Sequence, residues 1–304
     1  MSDDGWTTTG HELPPGFERA LRMVLSLEAP PRQLAIHDRP NTTLRVLETE
    51  RGRVWVKSYR GSGDDALREY QFLRRAQDAL RGAAALAVPE PIARLGSTTI
   101  VLCDVSGRPM RGLLADGSDA DCEAAVRRCG EWLAAVHRAG AKNTKAFDLR
   151  LAARFVAARW DGLADRASRL AFAASAWDRA GVVTHGDFAP HNVIVDRERV
   201  VVLDPSFHQE FGRRDGCCSR HEDVARFWVS LRGLTLDEHA SERRRALANA
   251  FLEAYSGGRD IRTPGFMLFA VLQMGIALRD WSGLAQEAQS VRLCEWLAEI
   301  DGAR

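Results

Sequence analysis

A chain of 304 residues that is 45% hydrophobic and 27% charged can bury a sizeable core, as one large domain or as two lobes. Its net charge of +1 excludes a general attraction to nucleic acid or to an anionic membrane surface. The polar start M-S-D-D-G-W-T-T-T-G-H lacks an apolar signal core, and the apolar run 266–278 falls short of the roughly 20 residues that span a bilayer. Cysteines 103, 122, 129, 217, 218 and 294 show no framework spacing. The expectation is a cytoplasmic protein with reduced thiols and no stable membrane insertion.

In chain order, residues 1–14 read as a loose arm. Phe17, Leu21, Val24 and Leu25 give 15–27 a helical spacing. Strand character follows at 43–49 and 53–59, with Arg51-Gly52 as the hairpin turn. The spacing predicts a helix over 64–80 with Leu67, Tyr70, Leu73 and Leu80 on one side. A strand at 97–105 then gives way to V-S-G-R-P-M, which breaks regular structure. From about 119 the chain reads as mainly helix, interrupted by a β-rich insert at 181–203, and 266–278 reads as a buried core helix. The fold class is therefore α+β: a small strand-rich N-terminal part, a connector near 103–109 and a larger helical part.

Chemistry concentrates in the insert. Residues 184–193 read T-H-G-D-F-A-P-H-N-V, and V-I-V-D-R-E-R-V-V-V-L-D-P follows. Val193–Val195 and Val200–Leu203 predict a hairpin turned by D-R-E-R, with Asn192 at one end and Asp204 at the other. Hard oxygen ligands gathered this way suit Mg2+, which takes a few protein oxygens together with phosphate oxygens. Asp187, five residues before Asn192, is then free to orient a hydroxyl or accept its proton, which is the catalytic-loop arrangement of phosphoryl transfer. The competing reading is a polar hairpin loop whose Asp and Asn are turn residues.

H-G-D-x-x-x-x-N followed by L-D-P resembles the aminoglycoside phosphotransferase and choline kinase family, relatives of the protein kinases. The resemblance covers about residues 35–235. It implies a bilobal protein-kinase-like fold, with a nucleotide-binding lobe at 1–104 and a lobe of catalytic loop and acceptor-binding helices at 105–304. It also implies a strand lysine on the nucleotide phosphates, paired with a helix glutamate. Lys57 in V-W-V-K-S-Y, one of only three lysines, and Glu69 in D-D-A-L-R-E-Y take those places. A compact ammonium serves phosphate as a point charge in a way a guanidinium fork does not reproduce. The connector T-I-V-L-C-D-V resembles the family hinge, so Cys103, Asp104 and Val105 would face the adenine. His185 and Gly186 would shape the loop. His137 in E-W-L-A-A-V-H would be structural, and Asp223 in H-E-D-V-A-R-F-W would brace the loop. His191 reads as a bystander.

The function implied is transfer of the γ-phosphate of ATP, with Mg2+, to a hydroxyl of a small acceptor such as a sugar, an aminoglycoside or an amino alcohol; GTP stays open as donor. Two alternatives compete: a non-catalytic kinase-like nucleotide-binding or interaction protein, and a protein kinase. The complete set Lys57, Glu69, Asp187, Asn192 and Asp204 argues against the first. The missing D-F-G and activation segment argue against the second. Two departures from the family stand out. The nucleotide loop, D-R-P-N-T-T-L-R-V, is poor in glycine, and Pro40 removes an N–H from it. The stretch after Asp204 mixes Arg213, Arg214 and Arg220 with Glu210, Asp215 and Glu222, so it does not advertise a polycation site. His208, Cys217, Cys218 and His221 in that stretch lack zinc-ligand spacing and read as a surface loop. The sequence carries no reading of oligomeric state.

Overall fold

A computed structural model of the chain describes residues 6–7, 13, 15–61, 64–141, 146–207, 217–232, 238–281, 291 and 293–297. Most of the stretch that holds His208, Glu210, Arg213, Arg214 and Asp215, and nearly all of the N-terminal arm, lie outside the described residues. The chain divides into two compact units, one of Met1–Met110 with Val193–Pro205 and one of Arg111–Asn192 with Ser206–Arg304.

The first unit is built on an antiparallel sheet in the order β1 (Trp6–Thr7), β2 (Arg32–Asp38), β3 (Thr42–Thr49), β4 (Gly52–Tyr59), β7 (Thr99–Cys103), β6 (Pro91–Leu95). Alternation along β4 sends Val54 and Val56 to a core completed by Leu47, Val101 and, from helix α1 (Pro15–Leu25), Leu21 and Leu25. Lys57 therefore lies on the opposite face of the same strand. Helix α1 stops at Leu25 because Ser26 turns left-handed at φ 51°, and the Leu27 N–H closes on the Arg22 carbonyl at 2.9 Å. Helix α2 (Asp64–Ala79) buries Ala66, Glu69, Phe72, Leu73 and Ala76. That stripe differs from the expected one, since Leu67 and Tyr70 are half-exposed. Sequence periodicity favours apolar residues, whereas this stripe includes a carboxylate, Glu69.

A second sheet completes this unit in the order β5 (Leu86–Ala87), β11 (Arg199–Val202), β10 (Val193–Asp196), β8 (Arg108–Pro109). The expected hairpin is β10–β11, with Val193 paired to Val202, and β11 runs parallel to β5.

The second unit is mainly helical. Helix α4 (Asp119–Gly140) packs on α8 (Glu238–Ser256), and α7 (His221–Arg232) packs on α8 and α9 (Pro264–Trp281). Every residue of 266–278 is buried, as expected of a core helix apolar all round. Remaining helices are α3 (Met110–Asp116), α5 (Leu149–Ala157) and α6 (Ala164–Ala173), and β9 (Gly181–Val183) pairs with β12 (Cys217–Ser219) ahead of the functional loop. Among the described residues no helix is long and apolar enough to cross a membrane.

Candidate functional site

The residues singled out by sequence fall into one cluster in each unit. In the first unit, Lys57 is nearly fully buried, its Nζ 2.8 Å from Glu69 Oε2 and 3.1 Å from Asp204 Oδ1. Burial alone would lower the Lys57 pKa, but Asp204 and Glu69 more than offset it and hold the ammonium charged, above its ordinary value. Burial pushes the Glu69 carboxyl up against the pull of Lys57. Removing either partner of such a buried pair strands the other charge, at a cost of about 3–5 kcal/mol. Asp204 itself sits at φ 52°, a left-handed conformation that a non-glycine residue holds only when its surroundings over-determine it. Its Oδ2 also meets the Arg39 guanidinium at 3.5 Å.

The connector is held by backbone bonds. Cys103 donates its N–H to the Glu90 carbonyl at 2.9 Å, and Asp104 donates to the Arg53 carbonyl at 3.3 Å. The Asp104 carboxylate accepts from the Trp55 indole. Two of the three amides of this connector are thus engaged.

In the second unit, the loop 184–192 is organised by Asp223 and by an aromatic anchor. Asp223, fully buried at the start of α7, accepts the backbone N–H groups of His185 at 2.7 Å and Gly186 at 2.8 Å. Its Oδ2 also meets His137 Nε2 at 3.1 Å, and His137 Nδ1 meets the Tyr255 hydroxyl at 3.0 Å. Burial works against the Asp223 carboxylate, and the His137 bond and backbone donors bring its pKa below the ordinary value. Gly186 has φ 80°, and a Cβ there would lie 1.9 Å from the Ser206 carbonyl oxygen, so no other residue fits. Phe188 drops into the helical core, stacked on Trp132 at 5.4 Å and tilted against Phe227 at 4.8 Å.

Asp187, between these two fixed points, has both carboxylate oxygens partnered. Oδ2 accepts from Asn192 Nδ2 at 3.0 Å and lies 3.4 Å from His191 Nε2, while Oδ1 pairs with the Arg226 guanidinium. Burial would raise the Asp187 pKa, but the His191 hydrogen bond and the Arg226 charge bring it down to about 2. At neutral pH it is therefore ionised. Asn192 spends its amide N–H groups on the Asp187 carbonyl and carboxylate, so its side-chain oxygen takes no part in those bonds. That oxygen and the Asp204 carboxylate are hard donors of the type a divalent cation takes.

Sequence reasoning missed Arg226, although it lies three residues after Asp223 and so on the same face of α7. It also set aside His191, which in the structure rests against Asp187. In the zinc-like set, His221 Nε2 is turned to Asp178 at 2.9 Å, Cys218 is buried, and His208 lies outside the described residues. Among the described residues no group of three or more His, Cys, Asp or Glu is arranged to hold a metal ion.

Solved structures of the same architecture place the fold among the kinase-like α+β proteins. Macrolide 2′-phosphotransferase MphH from Brachybacterium faecium is 18% identical, with a TM-score of 0.54 over 92% of this chain and 98% of that one. A spectinomycin phosphotransferase is 12% identical, with a TM-score of 0.55 over 93% and 94%. Choline kinase from Cryptosporidium parvum Iowa II is 11% identical, with a TM-score of 0.51 over 90% and 89%. No curated protein sequence matches the chain. Residues 33–264 match the model of the phosphotransferase enzyme family, and the chain belongs to that family. It is an enzyme of the small-molecule kinase type, as the H-G-D-x-x-x-x-N and L-D-P motifs imply.

Proposed function

We propose that this enzyme transfers the γ-phosphate of ATP to a hydroxyl of a small polyhydroxylated or amino-alcohol acceptor, with Mg2+ as the accompanying cation. The observation that carries this reading is the Asp187 carboxylate, ionised and held by Arg226, Asn192 and His191 in a loop that Asp223 and Phe188 pin in place. Support for the nucleotide comes from similar folds: a spectinomycin phosphotransferase crystallised with ADP and spectinomycin, and an amicoumacin kinase crystallised with AMP-PNP and Ca2+.

On this reading the first unit binds the nucleotide and the second presents the acceptor. Val105 offers its backbone N–H to the base, and Lys57, set by Glu69, supplies a fixed positive charge to the inner phosphates. Asp204 and Asn192 would hold Mg2+, which would supply positive charge against the phosphate oxygens. Asp187 accepts a hydrogen bond from the acceptor hydroxyl and aims it for in-line attack, a reaction that is mostly positioning and charge stabilisation. With so low a pKa, Asp187 receives the proton only after O–P bonding has made that oxygen acidic.

The test is Asp187→Asn. The variant should bind nucleotide as the parent does and lose transfer by about 10²–10⁴-fold, the range for a positioned acid–base group. Mg2+-dependent nucleotide consumption against a panel of sugars, aminoglycosides and amino alcohols reads the loss. Turnover near that of the parent would remove Asp187 from the role given it.

A further inference from the structure

The turn between β2 and β3 carries a cation that the reaction as described does not use. This turn, D-R-P-N-T, closes with Arg39 N–H donating to the Thr42 carbonyl at 2.8 Å. It has no glycine, and Pro40 offers no N–H, so it is poorly made for cradling phosphate with backbone amides. At its base the Asp38 carboxylate is already engaged: the Thr43 hydroxyl donates to it at 2.6 Å, and Arg60 reaches Asp38 at 2.6 Å and Thr43 at 3.2 Å. Arg39 stands apart from that group and reaches Asp204 instead.

Two cations thus meet one carboxylate from its two oxygens, Lys57 at Oδ1 and Arg39 at Oδ2. They are placed very differently. Lys57 is buried and fixed by Glu69, whereas the Arg39 side chain is 40% exposed and its partner Asp204 33% exposed. So exposed a pair adds little to folding, and stability does not explain why Arg39 is there. Charge does. Lys57 and Arg39 balance Glu69 and Asp204, so a divalent cation held by Asp204 leaves this cluster with surplus positive charge. The cation also competes with Arg39 for the same carboxylate. Only a ligand with several negative charges restores the balance.

We infer that Arg39 is a phosphate ligand of the bound nucleotide, serving by side chain where the β2–β3 turn cannot serve by backbone. It exchanges Asp204 for the phosphate oxygens when a nucleotide and its cation bind together. The planar guanidinium suits this exchange, because it pairs with two oxygens of a carboxylate or of a phosphate in the same geometry. The inference rests on Asp204 as the cation ligand of the proposed reaction. It also predicts selectivity by phosphate number rather than by base.

Calorimetric titration of the full chain with ATP, ADP, AMP and adenosine, each with Mg2+, tests it. Arg39→Ala should weaken ATP and ADP binding by about 10- to 100-fold, the usual worth of a hydrogen bond to a charged group. AMP and adenosine should stay within about twofold, and the melting temperature should not move. Arg39→Lys should recover part of the loss, because it keeps the charge and gives up the fork. ATP binding unchanged in Arg39→Ala, or ATP and adenosine weakened alike, overturns the assignment of Arg39 alone. A parent protein that binds none of the four ligands overturns the nucleotide reading on which it stands.

Discussion

Replacing Gly186 by alanine tests whether the loop 184–192 is held as tightly as its geometry implies. Two costs add. At φ 80° an L-residue sits in the left-handed region, which costs about 1–2 kcal/mol. The new Cβ would also lie 1.9 Å from the Ser206 carbonyl oxygen. That oxygen belongs to backbone already tied to the loop by the Ser206 N–H to His185 carbonyl bond of 2.7 Å, so relief requires moving the loop itself. Overpacking of this kind costs about 1–3 kcal/mol. The sum of roughly 2–5 kcal/mol corresponds to a melting temperature lower by about 5–15 °C for a unit of this size. Calorimetry of the full chain reads it, with Gly162→Ala as control, since nothing lies within 4 Å of a Cβ there and its melting temperature should stay within about 2 °C. A Gly186→Ala protein that melts with the parent would refute the packing described around Asp223 and Ser206.

Arg226→Met should lower turnover by about 10- to 100-fold, a loss of roughly 1.4–2.8 kcal/mol from the ion pair on Asp187, with the nucleotide KM within about twofold. Arg226→Lys should restore part of it, and an unchanged kcat in Arg226→Met would show that Asp187 needs no such partner. Stability should fall on mild acidification through His221, whose folded pKa burial lowers below its ordinary 6.5. Because the unfolded chain then binds the extra proton, this contribution is complete above pH 6.5 and declines as the pH drops toward the folded value. Melting temperatures from pH 8 to pH 5 read it, and a flat profile would contradict a neutral buried ring donating to Asp178. The carboxylates of Asp178, Asp187 and Asp223, all depressed from 3.8, contribute above that value, and their share disappears only in stronger acid as the pH falls through their folded values.

What the sequence disclosed follows from how local each signal was. The β3–β4 hairpin, the β10–β11 hairpin and the apolar α9 announce themselves within a few residues, by alternation, turn residues or length. Strands β2 and β6 did not. The segment R-Q-L-A-I-H-D is half-exposed along its interior, with no clean alternation to betray it. The chemical residues divide the same way. Asp187, Asn192 and Asp204 were legible because their spacing carries the chemistry, and Lys57 because lysine is rare here. Arg39 and Arg226 were not, since in a chain so rich in arginine nothing local marks the two that close on Asp204 and Asp187. Glu69 was legible as a partner, but its burial was not, because a pattern that counts apolar residues turns the helix to another stripe.

The hairpin β10–β11 is numbered far along the chain yet belongs with the first unit, through β5 and β8. That has a consequence for synthesis on the ribosome. Strands β1 to β7 emerge early, but β11 cannot pair with β5 until residue 202 has left the exit tunnel, after α3 to α6 have been made. The first unit is thus finished late, with the loop of Asp187 made just ahead of its last strands. A fragment ending at residue 110 would expose the β5 edge and lack Asp204 altogether. For anyone exchanging this unit between relatives, the portable piece is therefore two segments, 1–110 and 193–205, and never the first alone.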